Sequence, residues 1–240
     1  MLRYWLVMPA AGAGRRFGGE LPKQYAPLCG TTVIEWSLAP FLADARCAGI
    51  MVALAPGDRR WPQLPLAART GTAPGGGERS QSVRAGLEAL RGRAAPEDWV
   101  LVHDAARPCL DAQDLERLLS AVPDHAVGGL LAVRVADTLK RAQPGEAAGA
   151  VLVAGTQERA GLWRALTPQM FRYGELCAAL DAAHAARRFP TDEAQALEWA
   201  GQAALLVEGS ADNLKVTTAA DLVLAAAVLG MRTDQARELP

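Results

Sequence analysis

The stretch from Pro9 to Lys23, PAAGAGRRFGGELPK, combines two properties that phosphate chemistry needs. Pro9, Ala10, Ala11, Gly12, Ala13 and Gly14 carry only small side chains, so backbone N–H groups there can approach a phosphate closely. Arg15, Arg16 and Lys23 then supply three positive charges within nine residues. An arginine forks onto two phosphate oxygens, and a lysine acts as a point charge. Neither common phosphate loop is present. The dinucleotide pattern GxGxxG needs glycine at position 17, where Phe17 stands, and the Gly-Lys pair of the P-loop is missing. The pattern predicts a nucleoside triphosphate whose reacting phosphate meets basic side chains directly. The plainer alternative is a glycine-rich turn with solvated basic residues.

Three further segments carry candidate chemistry. In LVHDAARPCL, Asp104 directly follows an apolar run, and a carboxylate beside a triphosphate reads as a Mg2+ ligand. The alternative is an Asp that caps a turn before Pro108. Arg107 is a candidate for a second phosphate, and His103 reads as a packed histidine at a strand end. In GGGERSQSV, Gly75, Gly76 and Gly77 form a flexible loop, and Ser80 or Ser82 serves either a ligand or a helix N-cap. In EGSADNLKVTT, Lys215 reads as a phosphate ligand or as a surface partner of Asp212.

These residues need elements that bring them together. Apolar runs at 5–10, 50–55, 99–103, 127–133 and 203–207 predict strands, the fourth loosened by Gly128 and Gly129. Apolar spacing of three and four predicts helices over 32–42, 79–90, 111–121, 191–199 and 218–229, with Asp111, TDEA and TTAAD as capping signals. Alternation of the two implies an α/β fold with a mostly parallel central sheet flanked by helices. In such a sheet, ligands sit beyond the carboxyl ends of the strands, where the Gly-rich loop and Asp104 both fall. Residues 134–161 instead read as a protruding β-hairpin arm around QPGEAAG. An arm with few contacts to its own core predicts a second copy of the chain as its partner.

Composition narrows the classes. The 240 residues carry 25 Lys+Arg against 26 Asp+Glu, a net charge of −1, which argues against a nucleic-acid surface. Apolar runs are too short for a membrane-spanning helix. Residues 4–13 resemble a secretory signal, but Pro9 interrupts them and a charged loop follows, so no leader is expected. Four scattered cysteines without a CxxC, and three scattered histidines, predict neither a disulfide framework nor a zinc site. The expected location is cytoplasmic.

PAAGAGRRFGGELPKQY, HDAARP, LTPQMF, TDEAQALE and VEGSADNLKVT are together similar, in order and spacing, to the family of 2-C-methyl-D-erythritol 4-phosphate cytidylyltransferases, over nearly the whole chain from Trp5 to Leu229. The resemblance implies a Rossmann-like nucleotidyltransferase fold, a single domain over 1–232 with a tail at 233–240, and transfer of CMP from CTP with Mg2+. It implies that Ala10–Gly14 hold the triphosphate and that Arg16, Lys23 and Lys215 are catalytic. Gly76, Gly77 and Ser82 would meet cytosine, with Pro9, Asp104 and Ala105 also at the CTP. Arg107, Thr138, Arg159 and Thr167, with Asp104 and Lys215, would bind the acceptor phosphate. The arm would cross into the partner of a homodimer. Gly77 stands where relatives often carry a polar residue, which leaves a backbone contact to cytosine there. The closest rival is a cytidylyltransferase for another polyol phosphate, such as ribitol 5-phosphate. An NAD-binding module would need an acidic residue ending the second strand, where Ala55-Pro56-Gly57 stands. A non-catalytic nucleotide sensor would not need both Lys23 and Lys215.

Overall fold

The computed structural model describes residues 2–12, 14, 17, 21–145 and 149–238, with side chains up to 232. Ala13, Arg15 and Arg16 of the first loop lie outside the described residues. In chain order, strand β1 (Tyr4–Ala10) leads through a short ribbon of β2 (Pro27–Leu28) and β3 (Thr31–Thr32) into helix α1 (Val33–Ala43). Then come β4 (Cys47–Leu54), β5 (Gly71–Pro74), α2 (Arg79–Glu88), β6 (Trp99–Val102), α3 (Ala112–Ala121) and β7 (Gly128–Arg134). Strands β8 (Leu139–Pro144) and β9 (Val151–Gln157) follow, then β10 (Trp163–Arg172), α4 (Tyr173–Ala185), α5 (Glu193–Trp199), β11 (Leu205–Glu208) and α6 (Ala219–Glu238).

Seven strands form one sheet in the order β11-β7-β10-β6-β1-β4-β5. Pairs β1–β4, β1–β6, β4–β5 and β7–β11 are parallel, while β10 runs antiparallel between β6 and β7. Alternation along the strands sorts side chains between two layers. Leu6 and Met8 pack with Ile34, Leu38 and Phe41 of α1 and Leu115 and Leu118 of α3. Val7 packs on the other face with Val83 and Leu87 of α2 and Leu176 and Leu180 of α4. A third cluster, including Val33, Cys109, Val216, Ala225 and Leu229, fastens α6 beside the loop that follows β6.

The helix starts obey local chemistry. Thr32 and Glu35 form a capping box on α1, with Thr32 N–H donating to Glu35 Oε2 at 2.9 Å. Asp111 caps α3 by accepting from Asp114 N–H, and Asp192 caps α5 by accepting from Gln195 N–H. Helix α2 starts at Arg79 as expected, but its N-cap is Glu78 rather than Ser80 or Ser82. Gly128 and Gly129 do not loosen β7. A Cβ on Gly129 would lie 2.7 Å from the Leu205 carbonyl oxygen, so glycine lets the edge strand close on it. Strands β2, β3, β5 and β10 and helix α4 escape the periodicity. Helix α6, expected to stop at 229, continues to Glu238.

The segment 134–161 holds a hairpin, with β8 paired antiparallel to β9 in a sheet of its own. On β9, Val151, Leu152 and Val153 are 72%, 51% and 62% exposed, an apolar run turned out of the core.

Candidate active site

The carboxyl ends of β1, β5 and β6 open onto a cavity of about 640 Å³. Pro9, Ala10, Ala11, Gly12, Gly76, Gly77, Ser82, Asp104, Ala105, Lys23 and Lys215 all line it, as do Gln24, Glu78, Arg79 and Ala106, which no sequence pattern marks as ligands. Small side chains dominate the wall, which leaves room for a large polar ligand close to the backbone.

Short-range contacts hold the loops. Gln24 is buried and donates Nε2–H to the Ala10 carbonyl at 2.8 Å, tying the turn at Lys23–Tyr25 to the end of β1. Gly14 has φ +63°, and a Cβ on it would lie 3.1 Å from Lys23 Cγ, so both conformation and space favour glycine. Lys23 Nζ donates to the Val216 carbonyl at 2.8 Å. The Gly76 N–H donates to Ser82 Oγ at 3.1 Å, which pins the glycine loop to α2.

Asp104 is the electrostatic centre of the described residues. Its Oδ1 accepts from Arg79 Nε at 2.9 Å, its Oδ2 pairs with Lys215 Nζ at 2.7 Å, and Arg107 Nε lies 3.8 Å from Oδ2. Burial alone would push this carboxyl up, but the three cations outweigh it and hold it well below the usual carboxylate range. Lys215 therefore pairs with Asp104 and not with Asp212. Asn213 and Val216 hold its loop: Asn213 Nδ2–H donates to the Thr167 carbonyl and Val216 N–H to the Ala106 carbonyl, each at 2.8 Å.

The sequence pattern predicts Asp104 as a Mg2+ ligand, yet both its oxygens are engaged by cations. Among the described residues no group of three or more His, Cys, Asp and Glu side chains is placed to hold a metal. Asp104 would fit as a single ligand to an ion that brings most of its other ligands on a phosphate group.

Other expected contacts sit elsewhere. Arg107 is buried and donates to the Asn213 carbonyl at 2.7 Å, and Thr167 is buried behind Asp104; neither lines the cavity. Thr138 and Arg159 are exposed at the foot of the arm, where Arg159 donates to the Ala136 carbonyl, and they too are not cavity residues.

His103 is a packed residue, as expected, and its tautomer follows from its partners. Nε2 faces the Arg107 carbonyl at 3.2 Å, which only accepts, so Nε2 carries the proton. The Thr167 hydroxyl then donates to Nδ1 at 3.0 Å while accepting from Asp104 N–H at 3.1 Å. Burial pushes the His103 imidazole down from 6.5 to about 4. A neutral ring that binds its proton only below the unfolded value contributes stability above pH 6.5 and loses it as pH falls toward 4, about 3 kcal/mol in all. We expect Tm to decline through that window, and His103→Gln to flatten that part of a thermal-unfolding pH profile.

Comparison with known proteins agrees with the geometry. The family model for 2-C-methyl-D-erythritol 4-phosphate cytidylyltransferase (IspD) matches residues 4–231. The chain is 54% identical over 223 residues to the enzyme of that name from Ectopseudomonas mendocina, covering 92% of this chain and 93% of the relative. It is 50% identical over 243 residues to that from Acidithiobacillus ferrooxidans, covering 98% and 100%. A crystal structure of 4-diphosphocytidyl-2C-methyl-D-erythritol synthase superposes with TM-score 0.81 at 37% identity, covering 95% of this chain and 99% of the other. The Thermus thermophilus cytidylyltransferase superposes with TM-score 0.75 at 31% identity, covering 93% and 97%. With a family model that matches residues 4–231, and relatives half identical over more than nine-tenths of the chain, the chain belongs to the 2-C-methyl-D-erythritol 4-phosphate cytidylyltransferase family.

Proposed function

We propose that this chain transfers CMP from CTP to 2-C-methyl-D-erythritol 4-phosphate, forming 4-diphosphocytidyl-2-C-methyl-D-erythritol and pyrophosphate for isoprenoid-precursor synthesis by the non-mevalonate route. The observation that carries the reading is the convergence of Lys23, Lys215 and the small-residue loops on one cavity. Relatives named for methylerythritol phosphate at 50–54% identity favour that acceptor over ribitol 5-phosphate.

An oxygen of the acceptor's phosphate attacks the α-phosphorus of CTP, and the bond from that phosphorus to the bridging oxygen breaks. The acceptor is largely dianionic at neutral pH, with a second pKa of about 6, so no general base is required. His103 is buried and fully engaged, consistent with that. The demand is for positive charge near the α-phosphate and the leaving pyrophosphate. In this reading Lys23 and Lys215 meet it, together with Arg16, which the family resemblance assigns. Gly76, Gly77 and Ser82 flank the base. Asp104 would be the carboxylate nearest a Mg2+ bound with the triphosphate, an ion that would supply further positive charge there.

The same reading includes a homodimer in which Thr138 and Arg159 of each arm serve the partner's acceptor phosphate. The exposed apolar run on β9, and a cavity lining that includes neither residue, support it. Four cysteines free of disulfides support a cytoplasmic location. No helix among the described residues is long and apolar enough to cross a membrane.

The test is pyrophosphate release from CTP with a panel of acceptor phosphates. Release with methylerythritol phosphate is expected. Release with ribitol 5-phosphate alone would overturn the acceptor, and silence with every acceptor despite CTP binding would turn the chain into a sensor.

A further inference from the structure

Glu193 is a carboxylate with 1% exposure at the first position of α5, and the transfer chemistry above makes no use of it. Its Oε1 accepts from Arg79 Nη1 at 2.6 Å and its Oε2 from Nη2 at 3.1 Å. Such a two-point fork sets the rotation of the guanidinium plane as well as its place. With both terminal nitrogens engaged, Arg79 turns Nε onto Asp104 Oδ1 at 2.9 Å, and the other Asp104 oxygen pairs with Lys215 at 2.7 Å. Four side chains from α5, α2 and two loops therefore form one line, whose last three members line the cavity. A buried ion pair gains little net stability over an apolar pair, because desolvation of both charges offsets their attraction. What the fork supplies is direction.

We propose that Glu193 is a positioning residue for the transfer step: through Arg79 it fixes the Asp104 carboxylate, and so the place from which Lys215 reaches the reacting phosphate. The inference rests on the cytidylyl-transfer reading. Glu193→Gln keeps the shape but weakens the hold on Arg79, and the loosened line misplaces Lys215. The expected result is a fall in kcat on the order of 10²-fold, the scale of a small misplacement at a reacting centre, with KM for CTP unchanged or lower. Glu193→Asp, which keeps the charge on a shorter stem, is expected to recover part of the loss.

A double-variant cycle with Lys215→Ala tests the route. If Glu193 acts through Lys215, the combined variant is no slower than Lys215→Ala alone. Arg79→Lys, which keeps the charge and removes the fork, provides the same cycle should Glu193→Gln fail to fold. Multiplicative losses overturn the proposal, as does a kcat loss matched by an equal loss of CTP-binding sites in calorimetry. The cycle is run on the acceptor that the wild-type chain uses. Absence of wild-type turnover with methylerythritol phosphate overturns the acceptor reading alone, and absence with every acceptor overturns both.

Discussion

Replacing Lys23 with alanine is expected to cut kcat by about 10²- to 10³-fold while CTP affinity changes little, the scale for losing one preorganised donor at developing negative charge. Lys23 sits on the turn at Lys23–Tyr25, packs against Gly14 and donates to the Val216 carbonyl, so its ammonium is placed before any ligand arrives. A charge placed in advance costs no reorganisation as the reaction proceeds, which is why its removal should fall on turnover. Pyrophosphate release gives kcat, and calorimetric titration gives CTP affinity. Equal losses in both would instead assign Lys23 to ground-state binding.

Asp104→Asn is expected to lower stability as well as turnover. The new amide sets an N–H2 against either Arg79 Nε–H or Lys215 Nζ–H, and it removes the counter-charge from a cluster of three cations. Breaking a buried pair from one side costs about 3–5 kcal/mol; partial exposure of Arg79 and Lys215 puts this case near 3 kcal/mol. That corresponds to a drop in Tm of roughly 6–12 °C. Because the Asp104 carboxyl is held below its unfolded value, its contribution is present above pH of about 4 and is lost as pH falls further. Wild-type and variant unfolding curves should therefore converge in acid. CTP should restore more of the variant's Tm than it adds to the wild type, since the triphosphate supplies the missing negative charge. Unchanged Tm at pH 7 would show that the cluster carries no such dependence.

The two variants mark what could be read from sequence. Lys23, Asp104 and Lys215 each stand inside a local pattern whose chemistry is visible without a structure: a basic residue after a small-residue loop, a carboxylate after an apolar run, a lysine between short strand-like pieces. Arg79 and Glu193 also stand in recognisable motifs, GGGERSQSV and TDEAQALE, but what those motifs display locally is glycines, serines and capping. The contact that gives both residues meaning spans 114 positions, and no periodicity displays it. The sheet shows the same limit. Strand β1 and its parallel neighbours are continuous apolar runs. β10 is a mixed run, WRALTPQMFR, whose register shifts between Ala165 and Gln169 around Pro168, so its pattern matches no simple period. Yet that irregular strand delivers Thr167 behind Asp104. The hairpin was legible because its turn formers and short alternating runs are local.

Arg79, Arg107 and Lys215 share one further property. Each already has a carboxylate of the chain, Asp104 in every case, as its near neighbour. Arg79 and Lys215 line the cavity, so an anionic ligand entering it meets cations whose counter-charge is covalently part of the protein rather than a cloud of mobile salt ions. A basic surface gains affinity by releasing such a cloud, and so weakens steeply as salt rises. Asp104 and Glu193 together offset two of the three charges of Arg79, Arg107 and Lys215, so the slope of log affinity against log salt should be shallower than the number of lysines and arginines suggests. The cost of internal pairing is a smaller electrostatic pull on CTP at low salt. Its expected return is a site whose occupancy varies less as the ionic strength around it changes.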